Sequence, residues 1–512
     1  MLNGHVSLVH NGIIENYSLL KKFLKEKSIN FYSDTDTEVA CSYINYIYET
    51  EKNKLKCIQN ACNDFKGSYA LGIIFDDEID SIYVTRRDSP LVIGVGNNEN
   101  YISSDISAFL NYTNKYILLD HNEYAKITKD NIEIYDSNLN IINKEINVAN
   151  WETSNYEKNG YDHFMLKEIY EQPKVIENIF KRYLYDKNYL NGIDITKYTN
   201  IHIVACGSAM HAGLIGKYLF ETYCNISVNV DVASEYRYKK QIISSSTLVI
   251  IISQSGETAD TLAALRIAKQ NKATVLSIVN VVGSTISRES DIVLYTQAGP
   301  EIAVATTKGY TSQVAILSTL ALEMCKKNIS NEDLDLINYE MLNIQNTLNS
   351  SLLKKDEYIK IAESIYTNEH LFFIGRGIDY AISMEGSLKL KEISYIHSES
   401  YPAGELKHGT IALINNNTPI IAIATDKNIY EKTISNIKEV KARCAYVIYI
   451  TTEDINIEGD FYDIKLVLPS SSDFTKSLTV ILALQLISYY TALKKNCDID
   501  KPKNLAKSVT VE

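Results

Sequence analysis

Thr247-Leu-Val-Ile-Ile-Ile-Ser-Gln-Ser-Gly-Glu-Thr258 passes from an unbroken apolar run into three hydroxyl side chains grouped around one glycine. Ala259-Asp-Thr-Leu-Ala-Ala-Leu-Arg-Ile-Ala-Lys269 follows, with apolar residues at helical spacing. This order reads as a buried parallel strand, a turn of small residues and a helix. The first turn of a helix leaves N–H groups unpaired and presents the positive end of the helix dipole. With the hydroxyls of Ser253, Ser255 and Thr258 beside them, a phosphate can be held there without any lysine. A single Ser/Thr helix cap is the plainer reading, but a cap needs one hydroxyl and this turn offers three.

Working outward, strand and helix alternate from about residue 198, and the alternation occurs twice. The first copy opens with Ile201-His-Ile-Val-Ala-Cys-Gly207 and a helix from about 209. The second opens with Leu371-Phe-Phe-Ile-Gly-Arg-Gly377 and a helix from about 380. Each continues with a second apolar strand (248–252 and 419–424), a helix, and a third strand (273–278 and 445–450). Two βαβ units with parallel sheets are expected. The copies differ where it matters: the second has Ala424-Thr-Asp-Lys427 in place of the hydroxyl turn.

Residues 1 to about 145 follow another pattern. Short β runs at 5–10, 69–75, 81–85, 91–95 and 124–128 are separated by Asp, Asn and Gly turns. Helical patterns near 15–27 and 37–50 interrupt them, the second started by Asp36 as a capping acid. This is a layered α+β region. A polar stretch with the sole tryptophan, Trp151, leads to a helix near 163–182. The organisation expected is 1–145, a linker and connecting helix over 146–197, βαβ units at 198–335 and 355–500, and a tail at 501–512.

The 512 residues are too many for one core. A hydrophobic share of 45% with 22% charged residues is ordinary for a soluble globular chain. The net charge of −12, without a basic block, argues against nucleic acid and anionic membrane as partners. Eight scattered cysteines without a C-x-x-C pair, and no His cluster at ligand spacing, point to reduced cytosolic thiols and no metal site. No run of about 18 apolar residues and no leader pattern is visible.

The second copy carries ionisable groups in a pattern. Within Ser383-Met-Glu-Gly-Ser-Leu-Lys-Leu-Lys-Glu-Ile-Ser394, Glu385, Lys389 and Glu392 fall at i, i+4 and i+7 on one helix face. Periodicity alone allows a surface ion-pair ladder. It also allows a carboxylate base beside a cation in a cleft, suited to proton abstraction next to a carbonyl. Tyr401-Pro-Ala-Gly-Glu-Leu-Lys-His408 follows as a loop dense in ionisable groups. The tail, Lys503-Asn-Leu-Ala-Lys507-Ser-Val-Thr-Val-Glu512, either frays or folds over a site and delivers Lys507 for imine chemistry.

Four stretches, Ser253-Gln-Ser-Gly-Glu-Thr-Ala-Asp-Thr261, Glu385-Gly-Ser-Leu-Lys-Leu-Lys-Glu-Ile-Ser-Tyr-Ile-His397, Gly404-Glu-Leu-Lys-His-Gly409 and Asn504-Leu-Ala-Lys-Ser-Val-Thr-Val-Glu512, together resemble the glutamine–fructose-6-phosphate aminotransferases (isomerizing), the glucosamine-6-phosphate synthases. His10-Asn-Gly-Ile-Ile-Glu-Asn16 and Ser33-Asp-Thr-Asp-Thr-Glu-Val39 resemble the same family's glutaminase region. The resemblance implies an α/β protein: a partial α+β N-terminal-nucleophile domain of the class II glutamine amidotransferases, then two parallel-sheet sugar isomerase (SIS) domains. It implies amide-nitrogen transfer from glutamine to fructose 6-phosphate with isomerisation, giving glucosamine 6-phosphate and glutamate. No metal or organic cofactor is implied. The partners are fructose 6-phosphate and glutamine or ammonia, in a cytoplasmic homodimer.

By the same resemblance Ser253, Gln254, Ser255 and Thr258 hold the sugar phosphate, and Val304 and Ala506 offer backbone contacts to the sugar. Lys507 forms the imine with C2 of the ketose and Glu392 moves the proton between C1 and C2. His408, from the neighbouring subunit, helps to open the ring, while Glu385 and Lys389 order the network. Asn11 and Gly12 form the oxyanion hole of the glutaminase site, and Asp36 holds the amino group of glutamine. The chain departs from the family at Met1, where the nucleophilic cysteine is expected, and lacks the early Arg-x-x-Thr-His segment. As given, it is expected not to use glutamine. Ala209 replaces a phosphate-binding serine and Lys503 an arginine. The alternative is an SIS deglycase or a non-catalytic sugar-phosphate-binding SIS protein, and the latter would have no reason to keep Glu392, His408 and the Lys507 tail together.

Overall fold

A computed structural model describes residues 2–149, 157–186, 188–190, 192–455 and 457–509; Trp151 lies outside them. The chain divides into two compact units: Met1–Glu157 with Glu257–Ala259 and Ser508–Glu512, and Lys158–Gly256 with Asp260–Lys507.

The first unit is layered. A seven-stranded antiparallel sheet runs in the order Leu2–Asn3, Val6–Ile14, Gly67–Phe75, Ile82–Arg87, Tyr124–Ile127, Ile132–Tyr135, Ile141–Ile142. Helices Tyr17–Glu26, Asp36–Tyr48 and Lys54–Asp64 share a core with one face of it, where Leu24, Val39, Ile44 and Ile58 meet Leu8, Leu71 and Ile73. A four-stranded sheet, Asn147–Val148, Lys115–Leu118, Val92–Val95, Asn100–Ser103, packs on the other face through Ile93 and Ile117 against Val84 and Ala125. Helix Lys54–Asp64 was not legible because its buried face is Cys57, Ile58, Ala61 and Cys62, small residues set among Lys and Asn. The expectation that Asp36 caps the second helix is corrected. Thr35 is the cap, its hydroxyl accepting from Glu38 N–H at 3.3 Å, and Asp36 instead accepts from Ile14 N–H at 2.8 Å.

The second unit contains both copies. Each is a five-stranded parallel sheet whose first strand lies second in the order. The first runs Ser227–Val232, Asn200–Ala205, Thr247–Ser253, Thr274–Val279, Ile292–Tyr295. The second runs His397–Pro402, His370–Gly375, Pro419–Ile423, Tyr446–Thr452, Ile464–Leu468. The edge strands Ser227–Val232 and His397–Pro402 were not anticipated, because at least half their residues are polar, as suits an edge. The stretch expected as a loop from Tyr401 to His408 is therefore the end of an edge strand and a 3-10 segment, Ala403–His408.

One apolar cluster runs through both copies, with Ile250 and Ile448 in the same core as Ile176 of helix Phe164–Tyr185 and Leu484 of helix Asp473–Lys494. The last helix is long and apolar enough to cross a membrane, but 94% of its apolar window is buried inside this core. Its hydropathy is that of a helix enclosed on all sides by protein.

Candidate active site

The first sheet's strand order creates a crevice. From Asn200–Ala205 the chain turns to the edge strand, then crosses back to Thr247–Ser253 on the other side. The loops after those two central strands diverge, and in open parallel sheets that is where ligands bind. Loop 253–258 is rigidly built. The hydroxyl of Ser253 accepts from Gly256 N–H at 3.0 Å, and the carbonyls of Gln254 and Gly256 accept from Asn280 and Ile286 N–H, each at 3.0 Å. Gly256 has φ +68°, and a Cβ there would lie 2.0 Å from Ser284 Oγ, so only glycine fits. Ser253 thus braces the loop from inside, while Gln254 and Ser255 are half-buried at its rim.

The second copy fills the equivalent place itself. The carboxylate of Asp379, two residues after Gly377, accepts from Thr425 N–H at 2.7 Å, from Asp426 N–H at 3.2 Å and from the Thr425 hydroxyl. Ala209 stands two residues after Gly207 in the first copy, where no such carboxylate intrudes.

The Glu385, Lys389, Glu392 ladder is not a surface feature: the side chains of Glu385 and Lys389 are 0% exposed and that of Glu392 is 20% exposed. Lys389 Nζ donates to Glu392 Oε2 and lies 3.5 Å from Glu385 Oε1. Glu385 Oε2 is held by His211 Nδ1 at 2.8 Å, a side chain from helix Gly207–Cys224 of the first copy. Burial works against the charge on Lys389, but the carboxylates of Glu392 and Glu385 hold its pKa above the usual lysine value. A proton-accepting Glu392 at the rim, backed by a buried permanent cation, suits proton transfer at a carbon beside a carbonyl.

The tail is ordered by specific contacts. Ile499 and Pro502 are buried, and Asp500 caps helix Phe164–Tyr185 by accepting from Phe164 and Met165 N–H, each at 2.9 Å. The Asp500 carbonyl accepts from Val304 N–H at 3.0 Å, and Val509 accepts from Ala259 N–H at 3.3 Å. Lys503 keeps the cation expected of an arginine, 4.4 Å above the Tyr395 ring. Lys507 Nζ donates to Glu301 Oε2 at 2.8 Å and to the Ala303 carbonyl at 2.7 Å.

Glu301 was missed at the level of sequence, as was His211. Glu301 is a lone acid in a loop of Gly, Pro, Ala and Thr between a strand and a long apolar helix, which was the available signal. It also accepts from the Thr306 hydroxyl at 2.8 Å and from Thr307 and Gly309 N–H at 2.8 and 2.9 Å. Burial would raise its pKa, but Lys507 and these donors hold it well below the usual carboxylate range. A Cβ at Gly309 would lie 2.9 Å from Glu301 Oε2 and 3.2 Å from Gln254 Cγ, so the loop and the Lys507 partner flank one glycine. The charge of Glu301 is also felt at Lys389. The second unit therefore gathers the 253–256 loop, the ladder and Lys507. Val304 donates its N–H to the Asp500 carbonyl, and Ala506 is exposed beside Lys507. His408 is exposed at the end of Ala403–His408 and is not joined to the ladder by any hydrogen bond or ion pair among the described residues.

In the first unit Asn11 and Gly12 lie on strand Val6–Ile14, opposite Ala70 and Tyr69. Gly12 has φ +133°, and a Cβ would meet the Ser68 carbonyl at 2.1 Å. Asp36 lies 3.9 Å from His10 Nδ1, and burial lowers the His10 pKa against the pull of Asp36. All eight cysteines are unbridged. Burial pushes the thiols of Cys41 and Cys62 up to about 11 and that of Cys57 up to about 12, so none of these three is an activated nucleophile.

Comparison with known proteins places this geometry. The SIS domain model matches residues 194–323 and 364–495, and a glutamine amidotransferase domain model matches 1–111. Glutamine–fructose-6-phosphate aminotransferase [isomerizing] from Clostridium tetani is 48% identical over 99% of this chain and 85% of its own length. The enzyme of that name from Caldanaerobacter subterraneus subsp. tengcongensis is 48% identical over 100% of this chain and 85% of its own. Among solved structures, the C-terminal domain of glucosamine-fructose-6-phosphate aminotransferase from Francisella tularensis is similar with a TM-score of 0.65 and 39% identity. It covers 67% of this chain and 100% of that one.

Proposed function

Because the chain belongs to the glutamine–fructose-6-phosphate aminotransferase (isomerizing) family, we propose that its second unit carries the sugar half of that reaction, with Lys507 as the imine-forming residue. The reaction transfers the amide nitrogen of glutamine to fructose 6-phosphate and yields glucosamine 6-phosphate and glutamate. Donors of the 253–258 loop hold the phosphate. The Lys507 amine adds to C2 of the open ketose and water leaves. Ammonia then displaces the lysine, and Glu392 carries a proton from C1 to C2, with Lys389 and Glu385 fixing its position. Asn11, Gly12 and Asp36 serve the glutamine side. The exposure of His408 supports a homodimer in which each copy lends this histidine to the other, in the cytoplasm.

The observation that carries the reading is the Lys507 clamp: a lysine in a terminal tail, fixed on Glu301 and Ala303 next to the loop. A module that only holds sugar phosphate has no use for it, nor for a buried ladder. Borohydride reduction in the presence of fructose 6-phosphate should label Lys507, and Lys507→Ala should abolish both the label and conversion of fructose 6-phosphate to glucose 6-phosphate. Labelling that persists in the variant refutes the assignment.

A further inference from the structure

Glu168, on helix Phe164–Tyr185, has no part in the steps above, yet it touches the segment on which Lys507 rests. Its Oε1 accepts from Ile302 N–H and, at 3.2 Å, from Ala303 N–H. Lys507 grips the same segment through the Ala303 carbonyl and the Glu301 carboxylate. Glu168 is 2% exposed, and its Oε2 is buried with no hydrogen-bond partner among the described residues. Ionised carboxylates are not left half-solvated in this way unless a cation pairs with them. The charges around it are Glu301, Lys507 and Lys308, and on its own helix Lys167 and Glu171. Lys308 and Lys167 both turn to Glu171, at 2.7 and 3.6 Å, and Lys507 to Glu301, so none is paired with Glu168.

We propose that Glu168 is a positioning residue for Lys507: as a neutral carboxylic acid it braces the Ile302 and Ala303 N–H groups and keeps a second negative charge away from the lysine. A lysine must be unprotonated to attack a carbonyl, and one carboxylate, Glu301, already lies against the Lys507 amine at 2.8 Å. A second carboxylate would hold that proton more tightly. Burial, aided by the Glu301 charge, pushes Glu168 up to about 8, against the opposing pull of Lys507, Lys308 and the Ile302 N–H. The acid is thus neutral at ordinary pH and places a second carboxylate charge near Lys507 only when it ionises above it.

The proposal rests on Lys507 being the imine-forming residue, and the test separates the two. The rate of borohydride trapping with fructose 6-phosphate is measured between about pH 6.5 and 9.5 in the full chain and in Glu168→Gln, which keeps the acceptor oxygen and cannot ionise. In the natural chain the rate should rise with pH, and less steeply above about pH 8. In Glu168→Gln it should rise without that change of slope, exceeding the natural chain by up to about tenfold at the alkaline end, the effect of one carboxylate charge removed from beside the lysine. Parallel profiles with Lys507 labelled in both overturn the role of Glu168 alone. No label in the natural chain overturns the imine reading and this proposal with it. If Glu168→Gln does not fold, the natural profile decides: a bend near pH 8 supports the proposal, and a steady rise refutes it.

Discussion

At the scale of single residues, the two copies solve one electrostatic problem differently. Backbone N–H groups converging at the end of a parallel strand need an anion. In the second copy Asp379 supplies one permanently, at the cost of a carboxyl whose burial pushes it up to about 6. In the first, Ala209 stands in the position of the aspartate and the 253–258 loop adds hydroxyls, the place proposed above for the sugar phosphate. Ser255→Ala and Thr258→Ala should each weaken fructose 6-phosphate binding by about 1–3 kcal/mol, since a charged acceptor loses one donor. Calorimetric titration checks this, and an unchanged affinity in the double variant would place the phosphate elsewhere. Ser253 should behave differently: its hydroxyl holds Gly256, so its loss costs loop order as well as affinity.

At the scale of elements, the tail is a strap anchored at a helix end. Asp500 satisfies two of the N–H groups that every helix leaves unpaired at its start, and it does so from more than 330 residues away in sequence. Asp500→Ala should destabilise the second unit by about 1 kcal/mol, as cap losses do. It should also slow imine trapping at Lys507, because the Val304 and Asp500 pairing then loses its neighbour. A melt and a trapping assay, both unchanged, would show the strap to be held by its other contacts. The ladder follows the same logic. Helix Ile378–Ser394 presents Glu385, Lys389 and Glu392 at helical spacing, but a second element, through His211, decides that Glu385 is held rather than solvated.

At the scale of the whole molecule, the βαβ copies of the second unit are not independent. Helix Asp473–Lys494 is buried along its length, and Leu484 packs so closely on Gly386 that a Cβ there would lie 2.5 Å from Leu484 Cδ1. Leu484→Ala removes buried methyl groups from a core common to both copies and should cost about 2–5 kcal/mol. The second unit should still melt in one transition, read by calorimetry. Two resolved transitions, one unshifted, would show separate cores.

The sequence by itself determined the duplicated parallel architecture, the hydroxyl turn at 253–258 and the spacing of the ladder, and it singled out Lys507. Continuous apolar strands, a hydroxyl cluster around Gly256 and an i, i+4, i+7 pattern are local signals, fixed by backbone period and side-chain type. It did not reveal the edge strands, whose polar faces resemble loops, or helix Lys54–Asp64, whose buried face is made of small residues. The tertiary structure alone decided that the ladder is buried, that the tail is a strap, and that Glu301, Glu168 and His211 meet the ladder and the Lys507 segment. Each of those depends on which groups meet across more than 100 residues of chain, and the desolvation and charge that set their chemistry exist only once they do.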